Sequence, residues 1–320
     1  MPNLNTCAND FLEYLEIEKN RSHATIQNYR FYITRFVEWS AKQGVSSPDK
    51  LTAELIRQYR LWLNRLINKE GNELKKNTQN FHLIALRSFL KYLAKRDIKS
   101  LPPEKIELMK MPDREIEFLN SDELENLLNA PTKVKQPKII AARDQAILDG
   151  LFSTGLRVSE LAELKIDNVN LKGKGDTITE LTVRGKGSKL RVVFLSLEAR
   201  ERIKTYLELR HDASPYLFIR HDRAKVKTKS KREEKEGGSP LTPRSIQRTV
   251  EKYAKIAGIT KNVSPHTLRH SYATDLLKNG ADIRSVQSLL GHSSITTTQI
   301  YTHLTDKQLR EVHKTFHHKK

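Results

Sequence analysis

Residues 98–118, IKSLPPEKIELMKMPDREIEF, set the first limit on how this chain folds. Pro102, Pro103 and Pro112 each lack a backbone N–H and push the preceding residue away from helical geometry, so no helix runs through them. Such a stretch reads as an extended linker. On its amino-terminal side every pattern is helical, and on its carboxyl-terminal side strand patterns join the helices. With 320 residues available, two domains follow: 1–104, then a linker at 105–118, then 119–320.

The first domain reads as four helices. One covers roughly Asn9–Lys19. Ser22 is placed to cap a second, with Ile26, Tyr29, Ile33, Phe36 and Val37 on one stripe and a stop near Gly44. Thr52 caps a third, carrying Leu55, Tyr59, Trp62, Leu63 and Leu66. A fourth runs from about Asn77 to Arg96 with Phe81, Ile84, Phe89 and Leu93. The expected class is a small all-α domain with basic outer faces.

Charge narrows the partners. Lys and Arg number 57 against 38 Asp and Glu, a formal +19. Residues 1–100 hold 17 basic and 10 acidic side chains, and the rest of the chain holds 40 and 28, so the excess is shared by both domains. That distribution suits a protein gripping a long polyanion from two sides. In the first domain, Arg21, Arg30, Lys75, Lys76, Arg87 and Lys91 are candidates for phosphate contact. No apolar run approaches the roughly 20 residues of a membrane span. The first residues lack the pattern of a secretory signal. Cys7, the one cysteine, excludes an internal disulfide and suits a reducing cytoplasm.

The second domain opens with Asn120 or Ser121 capping DELENLLNA. A buried helix over Arg143–Leu151 leads into FSTGLRVSELAEL, where a helix starting at Thr154 or Gly155 puts Arg157 in its first turn and Glu160 on the same face. A cation there opposes the helix dipole, which makes sense if an external anion sits beside it. Ile178–Arg184 and Leu190–Leu195 flank a Gly-Lys-Gly turn and form a hairpin with Lys186 at its tip. Lys186 is followed by Gly187 and no helix, so this is not a nucleotide-binding loop. A helix over Ala199–Arg210 and a short strand over Tyr216–Ile219 come next. The polar, lysine-rich stretch 220–238 reads as a solvated excursion, and Thr242-Pro243 opens a helix to Ala257.

Ser264–Tyr301 concentrates the chemistry. Ser264-Pro265 starts a helix carrying His266 and Arg269 on one face and ending at Gly280. Asp282 starts another, closed at Leu290-Gly291, and His292 follows. Ser293 or Ser294 then caps the segment leading to Tyr301. His266 and His270 have zinc-ligand spacing, but the usual Glu is missing and Arg269 would put a positive charge beside the metal. Core packing accounts for any one histidine. Only phosphate binding employs His266, Arg269, His292, Arg157 and Lys186 together, and no acidic cluster points to magnesium.

GLRVSEL, the GKG hairpin, PHTLRHSYAT, LLGH and TTQIYTH resemble the tyrosine recombinase (phage integrase) family, most closely its Xer-type members. The resemblance implies a SAM-like, four-helix core-binding domain and a mixed, mainly α catalytic domain with a small β-sheet. It places the family's catalytic set on Arg157, Lys186, His266, Arg269, His292 and the nucleophile Tyr301, with Glu160 in support. It implies cutting and rejoining of a double-stranded DNA site through a 3′-phosphotyrosyl intermediate, without metal, ATP or other cofactor. The expected role is Xer-like resolution of chromosome dimers at cell division, by a cytoplasmic, nucleoid-associated homo- or hetero-tetramer. A paralogous recombinase or a DNA translocase is the expected partner, and the tail helix after Tyr301 is expected to dock on a neighbouring protomer. Within the family the alternative is an integrase or resolvase of a phage, plasmid or transposon. Outside it stand DNA relaxation of the type IB topoisomerase kind and a non-catalytic DNA-binding protein.

Overall fold

The computed structural model describes residues 2–67, 71–111, 117–169, 171, 179–185, 190–221 and 239–291. The chain divides into two compact units, 1–114 and 115–320. Among the described residues, no helix is long and apolar enough to cross a membrane.

The first unit consists of α1 (Leu4–Ile17), α2 (His23–Lys42), α3 (Ala53–Arg65) and α4 (Lys76–Lys95). Three of the four starts are sealed by a side-chain acceptor: Asn3 for α1, Ser22 for α2 and Thr52 for α3. The first helix begins at Leu4, earlier than the expected Asn9, because Leu4, Cys7 and Ala8 share the buried face of Phe11, Leu12 and Leu15. The core is aromatic, with Phe11, Phe36, Tyr59 and Phe89 at 0–1% exposure. Within it, Arg35 donates to His82 Nε2 at 3.4 Å, leaving Nδ1 to meet the Tyr59 hydroxyl at 3.2 Å. Burial first, then the Arg35 charge, pulls the His82 pKa down to about 4.

The proline-bearing stretch is not extended throughout. Pro103–Lys105 forms one 3-10 turn, and Ile106 is buried in the helical core at 1% exposure. Asn80 and Met109 exchange side-chain-to-backbone bonds at 3.1 and 3.4 Å. The chain through Met109 therefore packs onto the first unit, because its apolar residues find that core.

The second unit contains α5 (Ser121–Asn129), α6 (Lys138–Thr154), α7 (Val158–Ala162), the hairpin β1 (Thr179–Arg184) and β2 (Leu190–Leu195), α8 (Leu197–Glu208), α9 (Pro243–Ile256), α10 (Pro265–Lys278) and α11 (Ile283–Leu290). This is the expected mainly helical fold with a small antiparallel sheet. Helix α6 is central and packs against α8, α9, α10 and β2, with Ala146, Ile147, Leu148 and Leu151 fully buried. Asp144 anchors it: Arg143 Nε and the Tyr253 hydroxyl donate to its two oxygens, each at 2.8 Å. In the hairpin, Thr179 lies opposite Leu195 and Arg184 opposite Leu190. Leu181, Val183, Val193 and Leu195 face the core, while Leu190, Val192 and Phe194 face out.

Two local expectations change. Tyr216–Ile219 makes only single bridges, Lys165 to Tyr216 and Ile219 to Pro240, because no second strand runs beside it among the described residues. The helix after α6 starts later than expected. Gly155, at φ +58°, ends α6 in left-handed geometry, so α7 begins at Val158 and Arg157 occupies the capping position instead of the first turn. Most of the lysine-rich stretch, 222–238, lies outside the described residues, as does the segment after Gly291.

Candidate active site

The site is built around the carboxyl end of α11. A short helix leaves its last carbonyls without intrahelical partners and carries a partial negative charge there. Three arginines from three different elements meet those carbonyls. Arg191 on β2 donates from Nε to Leu289 at 3.2 Å, Arg269 on α10 donates to Leu290 at 2.5 Å, and Arg157 before α7 donates to Gly291 at 2.9 Å. Each cation at a helix terminus contributes about 0.3–2 kcal/mol, the upper end where water is excluded. The oddity of Arg157 is thereby resolved: its guanidinium leaves its own helix and binds the negative end of another.

Glu160 neutralises two of the three arginines. Its Oε1 accepts from Arg157 Nη1 and from Arg191 Nη1, each at 2.9 Å. Its Oε2 accepts from the Arg157 backbone N–H at 2.9 Å and from Arg191 Nη2 at 2.6 Å. Burial pushes the carboxyl pKa up, but the Arg191 hydrogen bond, the Arg157 backbone bond and the arginine charges outweigh it. The group is held below the usual carboxylate range.

The two arginines of the expected catalytic set differ in exposure. Arg269 is 5% exposed and bridges two helix ends, donating also to the Gly155 carbonyl at 2.6 Å. The Arg157 side chain is 28% exposed, so its further N–H donors are within reach of an external anion. Ser264 caps α10 with Pro265 at the first position, as expected. His266 then reaches solvent at the start of that helix. Partial burial, followed by the charges of Arg269 and Arg157, lowers its pKa and keeps it neutral at pH 7. One turn later, burial with the charges of His266 and Arg269 brings His270 down to about 4. Two positive neighbours make this pair of histidines a poor metal site, and among the described residues no group of three or more His, Cys, Asp or Glu is placed to hold an ion.

The fold thus gathers Arg157, Glu160 and Arg269 at one helix end and sets His266 within their field. Lys186, His292 and Tyr301 lie outside the described residues. Arg191 escaped the sequence reading, although a signal was present. In LRVVFL the inward positions are 191, 193 and 195, and an arginine on the inward side of a strand calls for a buried acceptor.

The Phage integrase family matches residues 117–308, and its N-terminal SAM-like domain matches residues 8–97. The chain belongs to the phage integrase family. Its relatives include tyrosine recombinase XerC of Bacillus pumilus, 36% identical over 314 residues, covering 96% of this chain and 94% of that one. Tyrosine recombinase XerD of Chlorobaculum tepidum is also 36% identical, over 308 residues, with the same coverage. Among solved structures, the XerH site-specific recombinase bound to a palindromic difH substrate as a post-cleavage complex superposes with a TM-score of 0.70. The two share 25% identity over 95% of this chain and 83% of that one. Among the described residues, the carbonyl-bound arginines tie the start of α7, the hairpin and α10 to the end of α11.

Proposed function

We infer that the chain is a site-specific tyrosine recombinase, which cuts and rejoins double-stranded DNA through a 3′-phosphotyrosyl intermediate. The observation that carries this is the convergence of Arg157, Glu160 and Arg269 at the end of α11, directly before His292, in a chain of this family. In the first step the Tyr301 oxygen attacks the scissile phosphorus and the bond to the 5′-oxygen breaks. The tyrosine proton goes to His266, whose lowered pKa leaves it free to accept one, and Lys186 protonates the departing 5′-oxygen. Arg157 and Arg269 neutralise the non-bridging oxygens and His292 adds a donor. Each such donor is worth about 3–4 kcal/mol at the transition state. A 5′-hydroxyl of the partner strand then attacks the phosphotyrosine and gives its proton to Lys186. The bond from phosphorus to the Tyr301 oxygen breaks, His266 returns a proton to that oxygen, and the diester is restored. Because the phosphodiester bond energy is kept in the adduct, no nucleoside triphosphate is spent on rejoining the strand.

The role assigned is Xer-like resolution of chromosome dimers by a tetramer on DNA, in the cytoplasm at the nucleoid, with a paralogous recombinase or a DNA translocase as partner. Identity of 36% to Xer recombinases over nearly the whole chain supports it. In the first unit, Arg21, Arg30, Lys75, Lys76 and Lys91 are exposed and free to meet backbone phosphates, and Arg87 is half-buried. The test is covalent trapping. The full chain is mixed with genomic fragments of its host, denatured, and the DNA that stays attached is sequenced. The wild type yields an adduct at one recurring site, whereas Tyr301→Phe binds that site and yields none. An adduct formed by the phenylalanine variant overturns the assignment.

A further inference from the structure

Arg191 stands one residue into β2, on the inward side with Val193 and Leu195. A guanidinium on that side has to find acceptors or remain desolvated and unpaired. It finds three, and they belong to two separate parts of the site. Nη1 and Nη2 lie fork-to-fork on both oxygens of Glu160, at 2.9 and 2.6 Å, and Nε donates to the Leu289 carbonyl at 3.2 Å. Its Nε, Nη1 and Nη2 each already donate to a protein acceptor, so Arg191 acts on the site through those acceptors. Its stem also lies against Gly291, where an added Cβ would come within 2.9 Å of the Arg191 Cδ and 3.1 Å of Nε. The residue before His292 is thus kept small on the side that Arg191 occupies.

We propose that Arg191 is a positioning residue for strand cleavage, fixing Glu160 and the end of α11 so that Arg157 presents its guanidinium to the scissile phosphate. This rests on the recombinase reading above. The path runs through the carboxylate. A bidentate partner sets the plane of the Glu160 carboxyl group, and that plane sets where the Arg157 backbone N–H and Nη1 meet it. Without Arg191, Glu160 and Arg157 can turn as a pair, and the Leu289 carbonyl loses the donor that ties α11 to the hairpin. Lysine in its place can keep one bond to Glu160 but cannot make the fork and the carbonyl bond together.

The experiment compares wild type, Arg191→Gln and Arg191→Lys as full chains, on a nicked duplex carrying the site recovered by covalent trapping. The scissile group is an ordinary phosphate, a methylphosphonate or a 5′-bridging phosphorothiolate. On phosphate, the glutamine variant should bind within about twofold of wild type and cleave about 100-fold more slowly, the size expected for a misplaced catalytic group. The lysine variant should lose roughly tenfold, keeping one of the positioning bonds. On methylphosphonate, which lacks one charged oxygen for Arg157 to neutralise, the gap between each variant and wild type should narrow at least tenfold. A loosened fold would slow both substrates alike. Wild-type cleavage by both variants overturns the proposal, as does an equal deficit on phosphate and methylphosphonate. Rescue on the phosphorothiolate, whose leaving group needs no proton, also overturns it, because the defect would then act through Lys186. A wild-type chain that forms no adduct on any DNA fails the recombinase reading before an Arg191 variant is compared.

Discussion

Glu160→Gln removes one negative charge from between two guanidinium groups and changes little in volume. Glutamine keeps one acceptor oxygen, which can serve the bonds now made to Oε1. Its amide nitrogen, however, replaces Oε2 and confronts the Arg157 backbone N–H and Arg191 Nη2 with a third donor. Hydrogen bonds to charged groups contribute about 1.5–3 kcal/mol each, so losing two gives roughly 3–6 kcal/mol. Arg157 is 28% exposed and water recovers part of its share, whereas Arg191 at 10% recovers little. The expected destabilisation is therefore about 3–4 kcal/mol, within the range for stripping one partner from a buried ion pair. Urea unfolding of the full chain measures it. Both tryptophans, Trp39 and Trp62, lie in the first unit, so their fluorescence follows that unit alone while far-ultraviolet circular dichroism follows both. The dichroism transition should move to lower urea. Added sulfate should restore more stability to the variant than to wild type, because an anion can replace the missing charge. A variant within about 0.5 kcal/mol of wild type, the spread of ordinary surface changes, would refute the reasoning.

Gly155→Ala should cost about 2–4 kcal/mol, since a Cβ there meets Tyr272 at 2.5 Å and the left-handed backbone adds strain, and thermal unfolding reads it. An alanine variant of wild-type stability would mean that Tyr272 yields freely. Acid should weaken the first unit through His82. A histidine whose folded pKa is about 4, against roughly 6.5 unfolded, contributes stability that is intact above pH 6.5 and is lost as pH falls towards 4. At pH 5 the loss is roughly 2 kcal/mol, and His82→Gln should flatten that slope in tryptophan-monitored urea titrations.

The sequence was most legible where local chemistry decides. Ser22, Thr52, Asn120, Thr242, Ser264 and Asp282 all cap the helices expected of them, because a capping oxygen acts within three residues of itself. It was less legible where distant partners decide. Ile106 leaves the expected linker because the helical core accepts it. Arg157 reads as a first-turn residue until Gly155 is seen to close α6. Arg191 needs Glu160 and Leu289, 31 and 98 residues away, before its place makes sense. The motif residues could be named from their pattern, but the carbonyls that hold the arginines have no side-chain signature.

A grip on backbone carbonyls decides how such a site tolerates change. Arg157, Arg191 and Arg269 all grip peptide oxygens at the end of α11, not the side chains of Leu289, Leu290 and Gly291. What is recognised there is the path of the chain. Substitutions along the outer face of α11 leave every one of those oxygens in place. Adding or deleting a single residue rotates them by about 100° and breaks all three grips together. The helix can therefore drift in sequence while its length stays fixed.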